Sequence, residues 1–401
     1  MGTMTVQVVC GDSTRIVPIE VVRPNQITGW WSTDEDGQNK ITDGEVHDIL
    51  YYHVEVPQGF TDRNIRLKLF RESIEGRVRR QVRNSFMGIT RTLSIRNGRG
   101  HIKVDFVTLL ESRHRRDRNP TLTTWSNSAN GFIQLFWQVE YSSGIRRLNA
   151  VNAQLRVFAD EYVNAILKNE IRYTCNAGWI DKTHLYPGTN RDRPDIGARN
   201  LWQQFLDENG LRSRAVNGFR VVYTQDVRIT RNTIATVVRR AYMVRFGLDI
   251  LVRKRVAMAI FREVSWIFEH RQRFGAIIGR GGSSFEPADL ISNLLGLYSV
   301  FRNETEEQIL ERCGELGARE SLRIYRRFPG TFTEERYKNR EWTPRFFEND
   351  ECTHTPRCKQ EFPKEFQEVE PHPQDNSVFR RWSSVDNPMP DIPPLSPPII
   401  V

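Results

Sequence analysis

Cysteine is scarce in this 401-residue chain, and the five present, Cys10, Cys175, Cys313, Cys352 and Cys358, are an odd number. A disulfide scaffold needs a dense, even set, so these thiols are expected to be reduced. Long apolar runs are missing too. Hydrophobic residues make up 38% of the chain, yet no stretch approaches the eighteen or so that a membrane helix requires, and no membrane span is expected. The opening MGTMTVQVVCGDSTR lacks a basic start followed by an apolar core, and Val6 stands where a myristoylation signal wants Ser or Thr. Synthesis in the cytoplasm without a signal peptide is the expectation.

Charge decides little. A net charge of +9 permits an acidic partner, but both signs are spread along most of the chain. The densest basic pieces, RVRRQVR at 77–83 and RHRRDR at 113–118, could contact phosphate, and solvated strands or loops explain them equally well. No helix-turn-helix, finger or RNP pattern accompanies them, so nucleic-acid binding is not expected.

The first 145 residues read as β-structure. Leu50, Tyr52, Val54 and Val56 alternate onto one face, as do Ile65, Leu67 and Leu69, while FIQLFWQVEY at 132–141 is a further strand. Asn97-Gly98-Arg99-Gly100 between two alternating runs signals a hairpin. Burying these faces calls for an antiparallel β-sandwich over 1–145. Beyond Gly144 the period changes: Val151, Leu155, Phe158, Tyr162 and Ile166 follow helical spacing and predict a long helix from about Asn149. A mainly α-helical second domain over 146–330 follows, with a helix ending at Gly210 and a strand at 219–229. Long helices are expected at 249–274, 287–302 and 304–327. Residues 331–401 read as an extended arm with a Pro-rich tail, six prolines falling in the last fourteen positions. The fold class is therefore α+β and multidomain.

Few residues could do chemistry. YTCNAGWIDKTHL at 173–185 offers a thiol, a carboxylate and an imidazole in Cys175, Asp181 and His184, the types needed for Cys-His catalysis if the segment folds back through Gly178. An inert buried thiol is the competing reading of Cys175, and a turn-capping histidine that of His184. In the 249–274 helix, Glu263 and His270 fall on or beside the apolar stripe, where a carboxylate needs a salt bridge, a raised pKa or a metal. The glycines of FGAIIGRGGSSF, with Arg280, could cradle an anion before a helix or form a plain connection. Cys352, His354, Cys358 and His372 fit no common structural zinc spacing. Whether a metal or another cofactor is bound is left open by these residues.

Two resemblances bear on function. Residues 150–305 are similar to an uncharacterised bacterial domain-of-unknown-function family. Tyr173, Cys175, Gly178, Asp181 and His184 match its first motif, and Glu263 and Trp266 its second. Phe285, Pro287, Asp289, Asn293, Leu294, Leu295 and Gly296 match its Ser-Phe-x-Pro-x-Asp-Leu-x-Ser-Asn-Leu-Leu-Gly stretch. Arg262 departs from the family's histidine before Glu263, which would alter a site that used it. More loosely, VEVPQGFTDRNIRLKLFRE resembles β-domains of effectors carried by bacterial contractile injection systems.

These resemblances imply an effector or cargo protein of a type VI-like injection apparatus, binding its protein components and delivered outside the cell or into a target cell. Its helical domain would carry a hydrolase-like cleft, with His184 as base or ligand, Asp181 orienting it, Glu263 as general acid or base and Cys175 as nucleophile. The alternative is a non-enzymatic structural or adaptor subunit that binds partners through its β-domain and tail.

Overall fold

The computed structural model of the protein describes residues 3–10, 13–20, 27–72, 84–109, 132–142, 144–147, 153–158, 160–185, 195–210, 212–213, 217–230, 233–272, 284–347, 359–374 and 377–382. Both basic runs, the glycine-rich loop, Cys352, His354, Cys358 and the proline-rich tail lie outside the described residues. The chain is of mixed α+β class and divides into two compact units, Met1–Lys168 and Asn169–Val401. No described helix is long and apolar enough to cross a membrane.

In the first unit, strands β1 (Thr3–Cys10) and β2 (Ser13–Glu20) form a hairpin. A four-stranded sheet contains β3 (Thr28–Ser32), β4 (Lys40–Ile41), β6 (Ile49–Glu55) and β9 (Arg99–Asp105), in the order β4-β3-β6-β9. A six-stranded sheet runs β5 (Asp43–Gly44), β12 (Gln154–Phe158), β10 (Phe132–Tyr141), β7 (Asn64–Glu72), β8 (Asn84–Ser94), with β11 (Gly144–Arg147) also on β10. Every pairing is antiparallel except β12 with β5. The two sheets meet through aromatic side chains: Trp31 and Tyr52 of the smaller sheet lie 6.3 and 5.9 Å from Trp137 of the larger, ring centre to ring centre. All three are fully buried, and each such pair adds about 0.5–1.5 kcal/mol beyond its buried area.

The alternating faces read from the sequence are the buried ones, including Leu50, Tyr52, Val54, Ile65, Leu67 and Leu69. The Asn97-Gly98 turn has both residues at positive φ, 51° and 78°, and Arg96 and Arg99 exchange hydrogen bonds of 2.8 and 3.0 Å across it, as a primed two-residue hairpin requires. Its two strands then join different sheets, so the turn is a corner between layers.

The predicted helix from Asn149 does not form. Leu155 and Val157 instead alternate inward on β12, and only Glu161–Leu167 (α1) is helical, its N-terminus capped by Asp160 accepting from Val163 N–H at 2.8 Å. The apolar spacing fitted both periods, and open backbone on β10 and β5 selected the strand. The division between units accordingly falls after Lys168, not at 145/146.

The second unit begins with the hairpin β13 (Ile171–Thr174) and β14 (Gly178–Asp181), the short helix α2 (Lys182–Leu185) and α3 (Ala198–Asp207). Strands β15 (Arg212–Ser213), β16 (Gly218–Thr230) and β17 (Thr233–Arg245) follow, then helices α4 (Ile250–Gln272), α5 (Asp289–Arg302), α6 (Glu306–Cys313) and α7 (Ala318–Arg327). Strand β18 (Phe379–Trp382) pairs with β17 and completes a β15-β16-β17-β18 sheet; α3 and α4 pack on this sheet, and α5 packs on α3 and α4 in the same core.

This unit holds more strand than the sequence reading has it: besides the expected strand at 219–229, it contains β13, β14, β15, β17 and β18. The expected 304–327 helix is two, broken where Gly314 takes a left-handed φ of 69°. The segment read as an extended arm is part of the core as far as β18, because Phe332, Phe347, Phe362, Phe366 and Phe379 are all buried.

A buried histidine marks the first unit. His53 Nε2 lies 2.7 Å from the Ser32 hydroxyl and its ring stacks on Trp30. Burial, aided by the nearby His101 and opposed by Asp34 and Asp36, holds its pKa below the ordinary histidine value. A depressed histidine pKa gives stability that is whole above the unfolded value near 6.5 and is lost as pH falls through the folded one. The thermal midpoint of the wild type should therefore fall more steeply between about pH 7 and 5 than that of His53→Gln, as melts at stepped pH would show.

Candidate functional site

The stretch YTCNAGWID folds as a buried turn. Thr174 Oγ1 donates to Gly178 O at 2.9 Å and accepts from Ala177 N–H at 3.1 Å, tying the β13–β14 loop to itself. Gly178 has φ 68°, and a Cβ there would stand 2.5 Å from the Arg345 carbonyl oxygen, so glycine is required. The loop docks on the end of α6: Cys175 N–H donates to Gly314 O and Asn176 N–H to Cys313 O, both at 2.9 Å. Cys175 is buried there. Asp181 lies at the other end of β14, three residues or about 10 Å beyond Gly178, so the hairpin separates the thiol from the carboxylate and imidazole instead of joining them.

Asp181 and His184 are brought together. Asp181 Oδ1 caps α2, accepting from Thr183 N–H at 2.7 Å and from the Thr183 hydroxyl at 2.6 Å. Its other oxygen faces His184 Nε2 at 4.0 Å. Lys182 anchors the same helix through Glu315 at 2.6 Å and Asn169 at 2.9 Å. On the opposite side of the ring, Asp289 Oδ1 lies 4.0 Å and Asn293 Nδ2 3.5 Å from His184 Nδ1. Asp181, His184 and Asp289 each offer an atom within 4.8 Å of the other two, a grouping that could hold a metal ion.

Behind Asp289 stands Glu269, fully buried in the last turn of α4. Its Oε2 accepts from Phe285 N–H at 3.3 Å, its Oε1 has no hydrogen-bond partner, and its carboxyl is close enough to that of Asp289 to share a proton. Burial raises the Glu269 pKa, opposed by His184 and Lys338. Asp289 is driven far above the ordinary carboxylate range, first by burial and then by Glu269, Glu286 and Asp181. Position helps one acid and hurts the other: Asp289 sits at the positive end of the α5 dipole, Glu269 near the negative end of α4. Among the described residues, neither acid has a lysine or arginine within ion-pair distance.

His184 and Asn293 open on a cavity of about 230 Å³, whose walls also include Tyr223, Gln225, Asp226 and Phe261. The His184 side chain is 25% exposed, enough to meet a solute there. A larger hollow of about 820 Å³ is bordered by surface ion-pair residues such as Arg312 and Glu365 and contains no member of the cluster.

Glu263 is placed elsewhere. It accepts from Gln374 Nε2 at 3.1 Å, pairs with Arg381 at 3.6 Å and faces the Tyr242 hydroxyl, which is the structural salt bridge weighed from the sequence. Arg262 lies over the Trp342 ring at 5.0 Å. His270 stacks on Trp266 at 5.2 Å, and the His372 ring bonds Pro373 O. Sequence reasoning missed Glu269 and carried Asp289 only as one residue of the stretch likened to the uncharacterised family. The available signal was Glu269 within the apolar IFEH of a helix, with no basic residue three or four positions before it.

Gly296 sets the spacing of the cluster. A Cβ on it would stand 2.7 Å from Leu185 O and 3.3 Å from His184 O, so this glycine lets α5 touch the backbone of α2. Alanine normally favours a helix by about 0.8–1.0 kcal/mol over glycine. Gly296→Ala should nevertheless destabilise by about 1–3 kcal/mol, measurable by denaturant titration, because α2 must move off α5.

Comparison with family models, with curated proteins and with solved structures finds no match to this chain, so the chemistry of the cluster stands on its geometry.

Proposed function

We propose that the second unit is a hydrolase-like catalytic module, and that the chain is an effector or cargo protein of a bacterial contractile injection apparatus. The observation that carries the catalytic reading is His184, flanked by Asp181 and Asp289 and open to the 230 Å³ cavity. An imidazole so flanked can accept a proton from an attacking water while a carboxylate orients the ring and stabilises the imidazolium. Asp181 orients His184 in this reading, Asp289 and Glu269 form the buried acid pair behind it, and Asn293 contributes an amide at the cavity wall.

Cys175 and Glu263 take no part in this reading, the thiol being buried in the β13–β14 turn at the far end of the hairpin from Asp181 and Glu263 being paired with Arg381. The first unit, with its facing sheets, serves as a β-sandwich binding domain in the same reading, by the likeness of residues 45–110 to β-domains of injected effectors. The injection assignment rests on that likeness alone.

The test is target-cell toxicity, together with hydrolysis of cell-wall and protein substrates, for the full chain and its variants. His184→Ala should lower turnover by about 10²–10⁴-fold, while Glu263→Gln keeps it near wild type. Equal activity in His184→Ala and wild type would remove the catalytic site and favour the structural or adaptor subunit.

A further inference from the structure

Asp289 lies in the field of Asp181, Glu269 and Glu286 beside the His184 imidazole, and among the described residues neither Asp289 nor Glu269 has a lysine or arginine within ion-pair distance. Buried carboxylates left without cations cost several kcal/mol, so the folded chain must supply protons or a metal.

The local hydrogen bonds show which it is shaped for. Asp181 spends Oδ1 on capping α2 and keeps Oδ2 toward His184. Asp289 spends Oδ2 on the Glu286 N–H, 2.7 Å away, and keeps Oδ1 toward His184. Each carboxylate is thus fixed by one oxygen and presents the other to the same ring. Asp181 meets the ring at Nε2 and Asp289 at Nδ1, each 4.0 Å away and too far for a hydrogen bond, but one ring nitrogen and one oxygen of each carboxylate lie within 4.8 Å of one another, close enough to share a cation at about 2.0–2.2 Å after the side chains close in.

The second observation is independent of that group. Glu269 is fully buried, is near enough to Asp289 to hydrogen-bond with it, and leaves Oε1 without a partner. A side chain in that state is what a carboxylate supporting a metal ligand looks like before the metal arrives.

We propose that Asp181, His184 and Asp289 bind one divalent first-row transition cation, with Glu269 as the buried carboxylate that supports them. One nitrogen and several oxygens suit zinc, manganese or ferrous iron. The absence of sulfur from the group argues against soft cuprous ions, and the imidazole against dedicated calcium or magnesium sites. The inference deepens the hydrolase reading and rests on it only for what the cation would do; binding itself is separable.

The experiment uses the full chain, stripped with chelator and dialysed, then titrated with Zn²⁺ or Mn²⁺ alone by calorimetry and checked by elemental analysis. Wild type should take up one equivalent and melt higher on loading. His184→Ala and Asp289→Asn should lose that equivalent, and Glu269→Gln should bind about 10–100-fold more weakly. Cys175→Ser and Glu263→Gln should bind as wild type does. In chelator, Asp289→Asn should melt above wild type, since an amide ends the crowding of acids, which a merely disrupted fold would not do.

No stoichiometric uptake by wild type overturns the proposal, as does equal uptake by His184→Ala and Asp289→Asn. Should Asp289→Asn fail to fold, undiminished uptake by Asp181→Asn overturns it equally. One bound equivalent without any hydrolysis refutes the hydrolase and keeps the cation; hydrolysis that survives chelation, with no uptake in the titration, keeps the hydrolase and refutes the cation.

Discussion

Two carboxyl groups removed from water, Glu269 and Asp289, are the constraint on which the second unit turns. Their burial brings together three chain segments far apart in sequence: the end of α4, the start of α5 and the hairpin that delivers Asp181 and His184. Packing alone would choose apolar residues at such a junction, since replacing buried ionic groups by hydrophobic ones is commonly neutral or stabilising. That the chain keeps acids there, one of them against the unfavourable end of a helix dipole, separates this junction from the rest of the core.

The scaffold answers the constraint with close backbone contacts. Gly296 lets α5 approach Leu185 O, Gly178 lets the hairpin approach Arg345 O, and Asp181 N–H donates to Ser292 Oγ at 2.9 Å. Ser292 and Asp289 are neighbours on the first turn of α5, so the helix that carries one acid also fixes the backbone of the other. The geometry of the cluster is therefore set by backbone and helix, with surface side chains contributing little.

Legibility in the sequence followed the range of the interactions. Alternating faces such as Ile65, Leu67 and Leu69 and the Asn97-Gly98 corner are local and could be read directly. Residues 154–158 could not, because Val157 and Leu155 satisfy helix and strand periods alike and only pairing with β10 decides between them. Strand β17 was hidden by Arg239-Arg240 in the middle of its alternation, and β18 by its place in a proline-containing segment. At the site, Asp181 and His184 were legible because three positions in one turn place them together. Asp289 and Glu269 come from separate helices, and their partnership exists only after α4 and α5 pack.

The same distinction bears on Arg262. The resemblance read from the sequence, which no family match supports, would set a histidine at that position, and a missing histidine would ordinarily point to a lost base or ligand. Here position 262 is two helical turns, about 10 Å, before Glu269, and its guanidinium carbon stands over the Trp342 ring, 5.0 Å from the ring centre, with burial lowering its pKa. Stacking on an aromatic face is a task that guanidinium performs well and that leaves Asp181, His184 and Asp289 untouched. A histidine at 262 could reach the cluster only if α4 slid by those two turns, which would expose the Phe261, Val264 and Phe268 faces now buried in the core. Arg262 is therefore a packing residue of α4, apart from the four groups at the α2–α4–α5 junction.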